Sequence, residues 1–353
     1  MLAFHATLFV RVGAAGLGRE NESGRREKVM SIFDFLFERC AKHFDGHGML
    51  YHYTSFDTLQ RFVEDDGDFY CTNALALNDD SELIQGLSIA KNYLQKHFCW
   101  TEECLNWFEI AYRKLIVDGG VVLPWVMSFS RDGDSLTQWG MYTDRQRGGI
   151  SIGIRRDNLW NAIDRIPGGY SKVVKVEGEG MVDQWKNPAF LMQLLPCLYS
   201  ETDKDVIDEL FEFRGMTCRV AFERIGKAKY HNEVLPEDLV TAIMAIMEVS
   251  IVVKNEAFIN EQEERLILFP KTSRLDDCEL LGGKPRWRTY IGRTRKEGVG
   301  NPKYQALRGM FREIWISPHG ERRVLMQNVR FLLDKYGMDF CAIKRSALPY
   351  NGR

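Results

Sequence analysis

The chain has 353 residues, with 47 Lys or Arg against 49 Asp or Glu, so its formal net charge is -2. This near balance excludes a global field of the kind that attracts DNA or an acidic membrane. The 8 cysteines are scattered without a CxxC pair, which indicates reduced thiols in a cytoplasmic protein rather than a zinc site. No apolar run approaches the ~20 residues that span a bilayer, so no membrane partner is expected.

The N-terminal stretch differs in composition from the rest of the chain. Residues 1–29 are weakly apolar and then charged and rich in breakers, which predicts a disordered leader. Met30 is a candidate start of the native protein. Ser31 is expected to cap an amphipathic helix that runs through Phe44. The patterns from residue 30 to residue 353 predict a single α+β domain.

Short strands and helices alternate in the next part of the chain. Strands are predicted at Met49–Thr54 and Asp68–Thr72, with a helix between them. A turn at Asp79 precedes a helix running toward Phe98, and a further helix is predicted at Thr101–Val117.

The stretch from Val121 to Ile154 is the most informative part of the sequence. It predicts a strand at Val121–Phe129, a short helix at Leu136–Tyr142 and a strand at Ile150–Ile154. Such a unit can present polar groups and aromatic rings at one end of a sheet. Two interpretations stay open for Trp139 and Tyr142, which lie three residues apart on one helix face: packing in a core, or contact with a ligand.

A helical insertion is predicted at about 187–253, and strands are predicted again after it. The segment Phe258–Phe269 is expected to be extended, with Glu261, Glu263 and Arg265 on one strand face. The other elements predicted here are a helix at Asn158–Ile163, a strand at Ser171–Val176, a strand at Phe311–Ser317, a helix at Gly320–Tyr336 and a strand at Phe340–Ser346. The expected fold class is therefore α+β, with a mixed or antiparallel central sheet.

Several common enzyme fingerprints are missing from the sequence. It has no GxGxxG after a strand, no GxxxxGK[ST], no HExxH and no GxSxG. A Rossmann enzyme, a P-loop NTPase, a zincin and an α/β-hydrolase are accordingly disfavoured.

The polar candidates that remain each have an ordinary structural interpretation. His52, between two tyrosines, fits a hydrogen-bonded and half-buried histidine. Glu261, Glu263 and Arg265 fit a charge ladder that protects an edge strand from aggregation.

Five separated motifs resemble one bacterial family, the domain of unknown function 2971. They are LYHYTS, LNDDSE, VMSFSRDGDSLTQWGMY with GISIGI, FINEQEERLI and KRSALPY, in this order. The likeness runs from about Met49 to the C-terminus. The sequence departs from the family in its leader, in the basic segment Arg286–Arg312 and at Ser317-Pro318-His319.

A second resemblance is to ADP-ribosyltransferases of the His–Tyr–Glu class, and it implies a split central sheet and the cofactor NAD. It implies that His52 and Thr54 hold a ribose and the nicotinamide amide, and that Tyr142 stacks on nicotinamide. Glu263 would be the catalytic carboxylate, with Glu261 orienting or deprotonating an acceptor. The further cofactor-binding candidates are Tyr53, Tyr70, Ser128 and Trp139, and either Tyr70 or Trp139 is an alternative stacking ring.

Those residue types suit cleavage of the bond to nicotinamide. The reaction passes through an oxocarbenium-like ribose, and a carboxylate at the 2′-hydroxyl binds that state preferentially. The favoured expectation is thus an NAD-dependent transferase, for example a toxin or an anti-phage defence effector.

Two alternatives stay open. One is a non-enzymatic protein that recognises a nucleotide or a partner through the same sheet. The other is a nuclease in which Asp79, Glu82, Glu261 and Glu263 bind Mg²⁺.

The segment Arg286–Arg312 concentrates positive charge and carries aromatic residues between the charges. The ordinary interpretation is a solvated surface. The sharper hypothesis is that Trp287, Tyr290 and Tyr304 stack on bases while the cations neutralise phosphates. An acceptor, either a nucleic acid or an acidic protein, would then dock on this segment.

Overall fold

The computed structural model describes residues 48–64, 69–77, 82–117, 123–164, 170–176, 180–186, 189–270, 278–281, 283–288 and 310–349. The predicted leader at 1–29 and the predicted helix at Ser31–Phe44 lie outside the described residues.

The helices flank a central sheet and are numbered in chain order. They are α1 (Phe56–Glu64), α2 (Glu82–Phe98), α3 (Glu102–Val117), α4 (Leu136–Tyr142), α5 (Arg156–Asp164), α6 (Lys204–Thr217), α7 (Arg219–Lys227), α8 (Pro236–Ser250) and α9 (Arg322–Lys335). Two of them have recognisable start signals in the sequence. Ser135 caps α4 by accepting a hydrogen bond from the Gln138 amide, and α8 has Pro236 at its first turn.

The strands are numbered separately. They are β1 (Met49–Thr54), β2 (Tyr70–Asn73), β3 (Trp125–Ser130), β4 (Ile150–Arg155), β5 (Tyr170–Val176), β6 (Gly180–Lys186), β7 (Ala189–Pro196), β8 (Leu198–Tyr199), β9 (Val253–Lys254), β10 (Glu263–Pro270), β11 (Cys278–Leu281), β12 (Lys284–Arg288), β13 (Phe311–Ile316) and β14 (Ala342–Arg345).

Within the described residues, ten strands form one mixed, mostly antiparallel sheet. Its main order is β11-β12-β2-β3-β1-β4-β13-β14, and β10 joins it by pairing with both β3 and β7. The pair β13 and β14 is parallel and is connected through α9. The expected α+β class with a mixed or antiparallel central sheet is confirmed.

The sheet forks at β3. One edge of β3 pairs with β10 along its whole length, from Trp125 to Ser130. On the other edge, Trp125 and Val126 pair with β2, whereas Ser130 pairs with β1. Two strands therefore share one edge of β3 and diverge from it. This fork lies around Ser128, between the two paired ends.

Each face of the sheet is covered by its own apolar cluster. One cluster joins α2, α3, α6, α7 and α8 to the sheet through Val126, Leu195 and Ile267. The other joins α1, α5 and α9 to the sheet through Met127 and Leu266. Because side chains alternate along a strand, neighbouring residues of β3 and β10 enter different clusters. We call the face covered by α2, α3, α6, α7 and α8 the multi-helix face. The face covered by α1, α5 and α9 is called the α1–α9 face after its first and last helices.

The described part of the central unit, residues 123–154, folds as a strand, a helix and a strand, as its local patterns predict, and its first strand is Trp125–Ser130. One predicted boundary is wrong. The helical stretch begins at Lys204 rather than near residue 187, because Ala189–Pro196 pairs with β10 as a strand of the main sheet. The apolar run AFLMQLLP does not distinguish a buried strand from a buried helix by periodicity.

Candidate functional site

His52 lies in the fork of the sheet. It belongs to β1, and its Nδ1 is 3.0 Å from the carbonyl oxygen of Ser128 in β3. A carbonyl oxygen only accepts, so Nδ1 carries the proton of the neutral ring and Nε2 is left as an acceptor. The described residues give the His52 ring no second hydrogen-bond partner. The ring is partly exposed and lies near Phe62 and Phe129, at 6.1 and 5.9 Å between centroids.

At the fork, the Ser128 carbonyl has no neighbouring strand to pair with among the described residues, and the His52 ring takes the place of that strand. Backbone groups of alternate residues in a strand point to the same edge. Val126 and Ser130 use that edge to pair with β2 and β1, which leaves Ser128 between them. His52 supplies the donor for the Ser128 carbonyl that a continuous strand would otherwise supply. Burial lowers the pKa of His52 to about 4, although the bond to Ser128 opposes the shift. The ring is therefore neutral at neutral pH.

The strand registers place His52 and Glu263 on opposite faces of the sheet. Tyr51 pairs with Ser130, and Ser130 pairs with Glu263, so these three side chains share one face. His52 is the next residue along β1 and faces the other way, toward Phe129. The transferase interpretation needs His52 and Glu263 to meet in one cleft, and these strand registers place them on opposite faces instead.

Glu263 is enclosed in a buried ionic cluster on the multi-helix face. Its Oε2 is 2.5 Å from Lys254 Nζ, and its Oε1 is 2.9 Å from Arg265 Nε. Glu261 Oε2 lies 2.6 Å from the same Lys254 Nζ. All four side chains are at most 4% exposed. Two carboxylates and two cations give the cluster no net charge.

This electrostatic environment opposes a catalytic role for Glu263. Burial by itself raises the pKa of Glu263, but Arg265 and then Lys254 outweigh it and hold the pKa at about 2. Burial lowers the pKa of Lys254, and Glu263 reverses the shift, so that the pKa is raised overall. Both groups stay charged and paired. The assignment of Glu263 as a carboxylate available to a ligand does not fit this geometry.

Glu261 reaches the cluster from outside the strand. The segment Glu256–Glu261 is a 3₁₀ turn, and Gln262 is left-handed with φ 45 before β10 begins. The expectation of one extended segment through Phe258–Phe269 is wrong at this point. The Ser130 hydroxyl donates to the Glu261 carbonyl at 2.7 Å and ties the turn to β3. Glu261 Oε1 has no hydrogen-bond partner among the described residues.

The edge-strand interpretation of the charged residues is wrong, because β10 lies between β3 and β7. Glu264, on the α1–α9 face, is likewise paired: Arg131 Nε is 2.8 Å from Oε1, and Arg156 Nε is 3.0 Å from Oε2. Both carboxylates at this end of β10 are thus neutralised by two cations each.

Two of the predicted cofactor-binding aromatics are core residues. Trp139 is 0% exposed, donates from Nε1 to Asp134 at 2.8 Å and packs edge-on against Tyr53 at 4.7 Å. The Tyr53 hydroxyl donates to the Asp132 carbonyl at 2.7 Å and accepts from the Ser135 amide at 2.8 Å. The packing interpretation is confirmed for Trp139, and Tyr53 holds the loop before α4.

The other predicted residues lie at strand or helix ends. Tyr142 is the last residue of α4 and is partly buried. Thr54 ends β1 opposite Ile150, and Tyr70 begins β2 opposite Arg288. Ser128 is partly buried at the fork. Of the expected set, the structure therefore brings together His52 and Ser128 at the fork, Tyr53 and Trp139 in the core, and Glu261 and Glu263 in the ionic cluster.

Most of the basic segment Arg286–Arg312 lies outside the described residues, including Tyr290 and Tyr304. The part that is described belongs to the sheet. Arg286 donates to the Thr72 hydroxyl, and Trp287 is buried against Trp125 at 5.4 Å. Trp287 is consequently a core residue rather than a ring that stacks on bases.

The proposed nuclease ligands are not assembled in the described part of the chain. Asp79 lies outside it, and the carboxylates of Glu261 and Glu263 both face Lys254. Among the described residues, no group of three or more His, Cys, Asp or Glu is arranged to hold a metal ion.

Sequence reasoning missed Lys254, which organises the ionic cluster. A signal was present: a single lysine directly follows the apolar run Ile251–Val253, which is an environment that a charged group enters only with a partner. The pairing strand β8 brings Tyr199 to the same place, where its hydroxyl accepts from the Glu263 amide at 3.0 Å.

Comparisons with protein-family models, with curated proteins and with solved structures found no match for this chain. In the described part, no helix is both long and apolar enough to cross a membrane.

Proposed function

We propose that this chain is a nucleotide-binding protein that holds NAD, or a nucleotide portion of NAD, at the fork beside His52. The observation that carries the proposal is the neutral, partly exposed imidazole, with Nδ1 committed to Ser128 and Nε2 left as an acceptor. A ribose hydroxyl is a donor that matches such an acceptor. A few placed polar groups beside aromatic side chains, here Phe62 and Phe129, are the kind of lining that orients a small ligand.

The resemblance to ADP-ribosyltransferases of the His–Tyr–Glu class motivates the choice of NAD, and the forked sheet is compatible with a split sheet of that kind. The resemblance does not extend to the carboxylate. Glu263 faces away from His52 and is neutralised by Lys254 and Arg265. The geometry therefore favours recognition of the nucleotide over cleavage of its glycosidic bond.

Calorimetric titration of the full chain with NAD, ADP-ribose and AMP tests the binding proposal. His52→Phe keeps an aromatic ring but removes the acceptor, so we expect about tenfold weaker binding, as one lost hydrogen bond implies. His97→Phe is the matched control, because His97 is an exposed histidine on α2. The proposal fails if none of the three ligands binds saturably, or if both variants bind as wild type does.

Release of nicotinamide from labelled NAD distinguishes binding from transferase or hydrolase activity. We expect no release above the uncatalysed rate, because the Glu263 carboxylate is occupied by two cations. Release that persists in the wild type and disappears in a folded Glu263→Gln protein would restore the transferase interpretation and overturn our assignment of the carboxylate.

A further inference from the structure

A cavity of about 410 Å³ opens in the helical layer, away from the fork. It lies between the first turns of α3, the end of α7 and the loop that leads to α8. Its lining combines an indole ring with several polar side chains, among them Thr101, Lys229 and Asn232. This volume and mixture are typical of sites for small organic ligands.

The defining feature of the cavity is a ring stack formed by the chain itself. The imidazole of His231 lies parallel to the indole of Trp107, with 4.7 Å between centroids and 3° between planes. Trp107 is only partly buried, and His231 is exposed. The geometry shows that a flat nitrogen heterocycle fits against the outer face of this indole.

The backbone near His231 is anchored independently of its ring. His231 begins a 3₁₀ turn that ends at Glu233, whose Oε2 accepts from the amides of Lys229 at 2.9 Å and Tyr230 at 3.3 Å. The imidazole can therefore change rotamer without loss of those bonds. Rotation of an exposed side chain is fast and cheap compared with opening a helix.

We propose that the face of Trp107 is a binding site for a planar nitrogen heterocycle of the nucleobase class, and that His231 occupies the place of this ligand in its absence. Stacking on a tryptophan face is tolerant of the particular base, since every base has a π-face. The polar side chains around the cavity can hydrogen-bond to the ring edge. Because His231 competes for the face, it lowers the apparent affinity by the fraction of time that it occupies the site.

Saturation-transfer NMR on the full chain, with adenosine as the probe and ribose as the probe without a base, tests this site. We expect adenosine to bind wild type, and Trp107→Leu to weaken its binding about tenfold or more, as loss of one base–aromatic stack implies. His231→Ala should tighten binding, since the internal competitor is gone. Ribose should not bind at this site.

Two further variants serve as a control and as a substitute for Trp107→Leu. His97→Ala is the matched control, because His97 also stacks on a ring of the helical layer, that of Tyr93 at 4.5 Å, outside this cavity. Should Trp107→Leu unfold, as circular dichroism would show, Trp107→Phe replaces it, and its smaller face should bind adenosine more weakly than wild type. The proposal is overturned if His231→Ala weakens adenosine binding, or if the folded Trp107 variant binds as wild type does.

This site and the fork are distinguishable in the same experiment. Loss of adenosine binding in His52→Phe but not in the Trp107 variants would assign the nucleotide to the fork alone and would refute the site on Trp107. Loss in the Trp107 variants but not in His52→Phe would support the second site and show that the fork does not hold adenosine, while the titrations with NAD, ADP-ribose and AMP decide the fork.

Discussion

The two faces of the sheet give their polar residues different environments: charged side chains are buried and paired on one face, and a neutral histidine is partly exposed on the other. On the multi-helix face, Glu263 is buried with Lys254, Arg265 and Glu261, and every charge lies within reach of an opposite one. On the α1–α9 face, His52 is neutral, partly exposed and holds one carbonyl at the fork. The comparison shows that a carboxylate at the sequence position expected of a catalytic residue is not available to a ligand when neighbouring cations neutralise it.

The largest expected effect comes from removing one charge of the buried cluster. Glu263→Gln leaves two cations facing one carboxylate, so the cluster carries an uncompensated positive charge. We expect a loss of about 3–5 kcal/mol in the free energy of unfolding, measured by urea denaturation. Glu223→Gln on α7, where the ion pairs are exposed, should change little. A Glu263→Gln protein as stable as wild type would show that the cluster does not hold the fold.

A smaller loss is expected for the equivalent change on the other face. Glu264→Gln weakens two charged hydrogen bonds, but Arg131 is 38% exposed and remains partly solvated when the carboxylate is gone. We expect a loss of about 2 kcal/mol, as for one or two hydrogen bonds to charged groups. Urea denaturation of both variants under one condition provides the comparison, and equal losses would mean that solvent access to Arg131 is irrelevant.

The faces also differ in the pH range in which they lose stability. His52 has a pKa of about 4 when folded and 6.5 ordinarily. The unfolded chain therefore binds a proton first, so stability is complete above pH 6.5 and falls as pH is lowered toward 4. The carboxylate of Glu263, with a pKa of about 2 against 4.5, loses its contribution between pH 4.5 and 2.

Chemical denaturation across these pH ranges separates the two groups. His52→Gln keeps a donor for Ser128 but does not titrate, so its stability should decline less than that of wild type between pH 6.5 and 4. His319 also has a pKa lowered by burial, so some decline remains in both proteins. Identical profiles for wild type and His52→Gln would contradict the neutral state assigned to His52.

The smallest effect is expected at the loop before α4. Tyr53→Phe removes the hydroxyl that donates to Asp132 and accepts from the Ser135 amide. A buried amide then lacks its acceptor, and we expect a loss of about 1–2 kcal/mol. Thermal unfolding measures it, with Tyr230→Phe as the exposed control. If Tyr53→Phe has the same melting temperature as wild type, water replaces the hydroxyl as the partner of the Ser135 amide.

Local patterns predicted the elements that depend on local interactions. The unit of β3, α4 and β4 follows from an apolar β-branched run, a short amphipathic segment and an alternating strand. The shared face of Glu263 and Arg265 follows from the period of a strand, and the structure turns it into an ion pair. For Trp139, helical spacing left core packing and ligand contact both open, and the structure places the residue in the core.

Only the tertiary structure decided which faces meet. Whether His52 and Glu263 share a face depends on the registers of β1 and β10 against β3, and those pairings join residues far apart in sequence. The left-handed Gln262 and the arrival of Lys254 from β9 are likewise invisible to periodicity. The sequence alone therefore predicted most of the strands and helices and named the candidate residues, whereas Ala189–Pro196 is recognised as a strand only by its pairing with β10. Strand pairing determined that one candidate is available at a fork and the other is neutralised, because register is set by contacts across the whole sheet.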